Sequence, residues 1–280
     1  MNAESRWERG YKKLLEVDGH AGETVKNSLN EISPDLVRYI VEYAFGDIYC
    51  RDGLDLKSKE IAVVAALTAM GNAQPQLKVH LNGALNVGCT INEVKEIILQ
   101  MSAYSGFPTC INAMNALRDV LQERSARGIA DPVGDAPTNA AGPGNAATPD
   151  HSAGSDADRY ARGAQALSLL DDQQVARLEQ AYADFSPHLV KLILSNYADV
   201  YARDNLDKKY RQVATIAALT ALGNAQPQLK FHIHAGLNVG LEAAQIIEIM
   251  LLMTVYAGFP AAINGTNVLK EVLQERNRER

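Results

Sequence analysis

The chain has 280 residues, 47% hydrophobic and 21% charged, with a formal net charge of −6 and a pI near 5.6. This composition belongs to a globular protein with room for two ordinary domains, each able to bury a core of its own. The acid excess leaves no basic stripe of the kind a nucleic-acid partner requires. The N-terminal segment lacks the apolar core of a signal peptide, and nowhere do about 18 apolar residues run together. A cytoplasmic location, away from membranes, is expected.

The sequence repeats itself. Residues 54–88 and 206–240 align without a gap and agree at 22 of 35 positions, and GNAQPQLK recurs unchanged at 71–78 and 223–230. Self-similarity over so long a period marks two copies of a whole folding unit. The predicted elements then run in parallel through the two copies. Ser33 with Pro34, and Ser186 with Pro187, read as a helix N-cap followed by proline at the first helical position. Asp55 and Asp207 cap the next helix, whose apolar positions (Ile61, Val64, Leu67; Val213, Ile216, Leu219) keep helical spacing up to Gly71 and Gly223. Pro75 and Pro227 start a third helix with Leu77, His80, Leu81 and Ala84 on one face, closed by Gly88 and by Gly240 in the second copy. Thr90 and Glu93 form a capping box for a fourth helix, and the Gly106-Phe107-Pro108 break precedes a last helix through Ile111, Met114, Leu117 and Leu121. No stretch alternates strictly enough for a strand, so the expected fold class is all-α.

Between the copies, residues 125–158 turn to Ala, Gly, Pro, Asn, Asp and Ser without large apolar residues. Such a stretch cannot offset its ordering entropy and is expected to be a flexible linker. The domains are therefore expected at 1–124 and 159–280. Cys50, Cys89 and Cys110 all lie in the first copy, with Ala202, Leu241 and Ala262 opposite them in the second. An odd number without a CxxC reads as buried small hydrophobes rather than a disulfide or zinc framework.

Each copy places one histidine, His80 or His232, on the apolar side of its third helix. Either reads as a core-edge residue with a local hydrogen bond or as a general acid–base tuned by burial. The second copy adds His234, but positions two apart on a helix point to opposite sides, so the pair cannot chelate one metal, and no metal is expected. Glu60, amid Ile61, Ala62, Val63 and Val64, reads as a raised-pKa acid or as a solvated helix edge beside Lys57 and Lys59. Its counterpart is Gln212, so if Glu60 is catalytic the first copy alone is equipped.

FGDIYCRDGLD (45–55), AALTAMGNAQPQLKVHLNGALNVG (65–88), NEVKEIILQMSAYSGFP (92–108) and their second-copy equivalents together resemble the carboxymuconolactone decarboxylase family, within an alkylhydroperoxidase-like superfamily. The resemblance covers 6–124 and 159–276 and implies a tandem duplication of an alkylhydroperoxidase-like helical domain. Antioxidant members carry Glu, CxxC and His. Here Glu60 and His80 stand for the ends of that pattern, while Asn72 and Pro75 lie where the cysteines would be, which argues against thiol-based peroxide reduction. The decarboxylase branch usually reads HLRAA after the histidine. This chain has HLNGA with Asn82 and HIHAG with His234, and it lacks the arginine that would grip a carboxylate. What the resemblance implies is a cofactor-independent lyase acting on a small carboxylated lactone or keto acid that supplies its own electron sink. In that reading His80 is the acid, Glu60 positions it, and Arg51, Lys59 and Asn82 meet the substrate. His232, with Arg203 and His234, is the second copy's version. A homo-oligomer is expected, as a trimer of tandem chains. The alternatives are a redox accessory protein using isolated cysteines and a non-catalytic oligomeric binding protein.

Overall fold

The computed structural model describes residues 4–138 and 156–278, and every regular element among them is helical. The first copy contributes α1 (Arg6–Val17), α2 (Gly19–Asn30), α3 (Pro34–Tyr39), α4 (Leu56–Met70), α5 (Gln74–Asn86), α6 (Ile91–Gln100), α7 (Ser102–Ser105) and α8 (Phe107–Ala126). The second contributes α9 (Asp156–Ser168), α10 (Gln174–Tyr182), α11 (Pro187–Asn196), α12 (Lys208–Leu222), α13 (Gln226–Asn238), α14 (Ala243–Tyr256) and α15 (Phe259–Arg278).

Helix α1 begins at a capping box of Ser5 and Glu8 and buries Gly10, Leu14 and Val17. Gly10 is needed for the crossing that follows: a Cβ there would come 1.9 Å from the carbonyl oxygen of Val41, and Gly163 meets that of Leu194 in the same way. Pro34 and Pro187 open their helices as expected, although the side chains of Ser33 and Ser186 make no capping bond. Helix α3 runs on into a π-helical stretch, Ile40–Tyr49, and α11 into a shorter one, Tyr197–Tyr201. The interval from Ser33 to Asp55 is one residue longer than that from Ser186 to Asp207. A π-turn takes up such an extra residue without ending the helix.

Asp55 caps α4 through the amide of Ser58, and Gly71 ends it in the left-handed region at φ 67°. Between its ends α4 has no exposed face: residues 58–69 are all buried, as are 211–220 of α12. These two alanine-rich helices pack against each other at the centre of the molecule. The two copies therefore share one continuous apolar core, built around Ile61, Val64, Ile97, Val213, Ile216 and Ile249, and not the separate cores that chain length suggests. A smaller cluster around Leu167, Leu194 and Tyr197 supports α9–α11.

Within the expected linker, residues 129–138 are held in place. Ile91 and Asn92 donate backbone bonds to the carbonyls of Pro132 and Val133. Arg124 donates twice to Asp131, at 2.8 and 2.7 Å. The ends of that linker are helical, 125–126 closing α8 and 156–158 opening α9, and residues 139–155 lie outside the described residues. No helix among the described residues is long and apolar enough to cross a membrane.

Candidate functional site

The histidine of each copy lies where α4 or α12 meets the following helix, and a tyrosine from the opposite copy completes each site. In the first copy, His80 Nδ1 is 3.1 Å from Glu60 Oε2 and 3.4 Å from Oε1. Tyr49, at the end of the π-helical stretch, donates its hydroxyl to Glu60 Oε1 at 2.6 Å and lies 2.8 Å from the hydroxyl of Tyr256. Tyr256, on α14 of the second copy, presents its ring edge-on to His80 with centroids 4.9 Å apart. Asp18, between α1 and α2, brings Oδ1 to 3.9 Å from His80 Nδ1, and that oxygen is buried without a hydrogen-bond partner. His80 Nε2 takes no hydrogen bond among the described residues.

The second site repeats the frame with different chemistry. His232 Nδ1 is 2.9 Å from Gln212 Oε1, and its Nε2 is 3.0 Å from the hydroxyl of Tyr104, which the first copy supplies from α7. Tyr104 also hydrogen-bonds Tyr201, whose hydroxyl is 2.8 Å from Thr215 Oγ1. Gln212 accepts through its oxygen, so Nδ1 of His232 carries the proton and Nε2 accepts from Tyr104.

Charge separates the two. Burial alone would lower the pKa of His80, but the carboxylates of Glu60 and Asp18 outweigh it and the pKa is raised. Burial pushes Asp18 up to about 7, a value that His80 moderates and Glu60 increases. His232 has no carboxylate neighbour, and burial drops it to about 3. Burial, reinforced by the charge of Glu60, likewise holds the Tyr49 and Tyr256 phenols protonated. The first site is thus an acid cluster that favours the charged form of its imidazole, and the second is a neutral hydrogen-bonded chain.

The remaining expected site residues have other partners. Arg51 forms a two-pronged pair with Glu248, both contacts 2.7 Å, and Arg203 pairs with Glu96 at 2.7 Å. These are matching ion pairs between the copies. The Lys59 ammonium is buried and donates to the backbone carbonyls of Tyr49 and Arg51. Asn82 bonds the carbonyl of Lys78 and accepts from Arg124, while His234 faces Glu275 at 3.4 Å. None of these hydrogen-bonds to His80 or Glu60 among the described residues. Asp18 and the four tyrosines are additions to the expected set. Tyr49 and Tyr201, like Tyr104 and Tyr256, occupy equivalent positions in the repeat, a signal legible in the sequence.

The described residues thus form a tandem helical repeat in which each copy completes the other's histidine site with a tyrosine. The chain belongs to the carboxymuconolactone decarboxylase family, which matches it twice, at residues 34–119 and 187–271. It is 33% identical over 125 residues to 4-carboxymuconolactone decarboxylase of Acinetobacter baylyi, an alignment covering 44% of this chain and 92% of that protein. It is 30% identical over 125 residues to a nitrosuccinic acid decarboxylase of Metarhizium robertsii, covering 44% of this chain and 85% of the relative. A solved carboxymuconolactone-decarboxylase-type subunit from Burkholderia xenovorans shares the fold, with a TM-score of 0.56 at 20% identity over 98% of this chain and all of its own.

Proposed function

We propose that the first-copy site catalyses decarboxylation, or the proton transfer that accompanies it, on a small carboxylated lactone or keto acid. The observation that carries this is the His80–Glu60–Asp18 cluster, in which a buried imidazole has a carboxylate 3.1 Å away and a raised pKa, where its counterpart faces an amide. When CO2 leaves, its bonding pair passes into the substrate's conjugated carbonyl and makes an enolate. Glu60 holds Nδ1–H, so Nε2–H is the proton His80 delivers to the enolate carbon. Tyr49 donates its one proton to Glu60, so the phenol of Tyr256, 2.8 Å from that of Tyr49, is the donor that can turn to the enolate oxygen. No guanidinium or ammonium hydrogen-bonds His80 or Glu60 among the described residues, so the charged form of His80, which the carboxylates favour, is what meets a substrate acid. Two relatives of this chain are named as decarboxylases of small acids, which supports the class of substrate.

The thiol alternative has less support. Burial pushes Cys89 up to about 12 and also raises Cys110, which donates to the carbonyl of Ile98, and thiols so held are poor nucleophiles. The test is CO2 release from 4-carboxymuconolactone by the full chain. His80→Ala is expected to abolish turnover and His232→Ala to retain it. Equal activity of wild type and His80→Ala would overturn the assignment.

A further inference from the structure

The second site opens into a cavity of about 700 Å³ between α7, α10, α11 and α13. Its walls are mainly apolar, with Leu178, Leu189, Ile193 and Phe231, though Gln174, Asn196 and Gln228 add amides to the lining, and its floor is Tyr104, Tyr201 and His232. Arg177 is the one formally charged side chain in the lining, and it is paired with Asp171 at 2.8 Å. The floor is already satisfied. His232 is bonded at both ring nitrogens, and the Tyr104 and Tyr201 hydroxyls are bonded to each other.

We propose that this cavity binds an uncharged, largely apolar aromatic molecule, in a copy whose histidine faces Gln212 where the first copy's faces Glu60. A carboxylate ligand would need a cation, and the only cation present is engaged by Asp171. A neutral His232 adds no charge. A strongly polar ligand would gain little at the floor, whose groups are already engaged, and desolvation there would cost it. An aromatic ring gains both area and geometry: Phe231 and Tyr104 already stand edge-on to His232, at 72° and 81°, and a further ring extends that packing. The volume suits a ligand of one to three rings. The proposal stands independently of the decarboxylase reading, which concerns the other copy.

The experiment is fluorescence titration of the full chain with 2-naphthol, neutral at pH 7, and with 2-naphthoate, its charged analogue in shape. One saturable 2-naphthol site per chain is expected, with naphthoate binding at least about tenfold more weakly, a difference of about 1.4 kcal/mol. Leu192, in the lining and 68% exposed, is a safe place to add charge. Leu192→Glu should weaken 2-naphthol about tenfold or more, and His80→Ala should leave its binding within about twofold. Should Leu192→Glu lose its helical circular dichroism, Leu189→Glu replaces it. Absence of saturable 2-naphthol binding, equal binding of naphthoate, or binding abolished by His80→Ala but not by the cavity variant would each overturn the proposal.

Discussion

At the scale of single residues, one difference between the helices that carry the histidines is a methyl group, Gly83 in the first copy and Ala235 in the second. A Cβ on Gly83 would lie 2.7 Å from Glu60 Oε2 and 3.0 Å from Asp18 Oδ1, so the bare backbone is what admits two carboxylates beside His80. Where Ala235 stands, Asp171 turns to Arg177 instead. Gly83→Ala should therefore displace Asp18 and lower the pKa of His80, read directly by NMR titration of its ring protons. An unchanged titration would show that Asp18 exerts no field on the ring.

The same residue fixes a pH dependence. Asp18 has a folded-state pKa of about 7 against an ordinary 3.8, so the native state holds a proton that the unfolded chain has released. Its share of stability falls as pH rises between those values. His80 acts in the same sense: a raised pKa gives stability that is full below 6.5 and is lost as pH rises through the folded value. Asp18→Asn should flatten the pH profile of urea unfolding between pH 5 and 8 by an amount on the order of 2–4 kcal/mol. Parallel profiles for wild type and variant would count against a buried, proton-holding Asp18.

At the scale of elements, most boundaries were legible because their chemistry is local. Asp55, Gly71, Thr90 with Glu93, and Gly88 act through backbone bonds within a few residues, and the structure has each where the pattern puts it. The π-helical stretches were not legible, since a one-residue difference between repeats does not say whether a loop or a helix absorbs it. Nor was the anchoring of 129–138, which depends on Arg124 reaching Asp131 while also bonding Asn82 and Asn86. Both members of that pair are nearly buried, with side-chain exposures of 7% and 6%. Asp131→Ala leaves a buried guanidinium short of its counter-charge and should cost about 3–5 kcal/mol in denaturant unfolding. A loss under about 1 kcal/mol would mean that the segment behaves as an exposed surface pair.

At the scale of the whole molecule, periodicity showed that α4 and α12 are helices but not that each is the other's main partner. An apolar helix without a polar face names no neighbour, so the shared core was hidden. The same holds for the site. Tyr256 is far from His80 in sequence, and only the packing of the copies brings them together. The inter-copy ion pairs are unequal despite their symmetry. Glu96 serves both Arg203 and the buried Arg211, whereas Glu248 serves Arg51, whose side chain is 46% exposed. Glu96→Ala should therefore destabilise by about 3–5 kcal/mol and Glu248→Ala by about 1 kcal/mol. Equal losses in thermal unfolding would refute this ranking.

The exchange of tyrosines between copies has a consequence for how the protein diverged. In an assembly of identical subunits every substitution lands on all sites at once, so a change that neutralises one histidine neutralises each of them. Joining the copies in one chain removes that constraint. Gln212 and Ala235 alter one histidine's surroundings while Glu60 and Gly83 remain beside the other, and each half still lends its partner a phenol. Covalent linkage thus frees one half to diverge while it still completes the other's site.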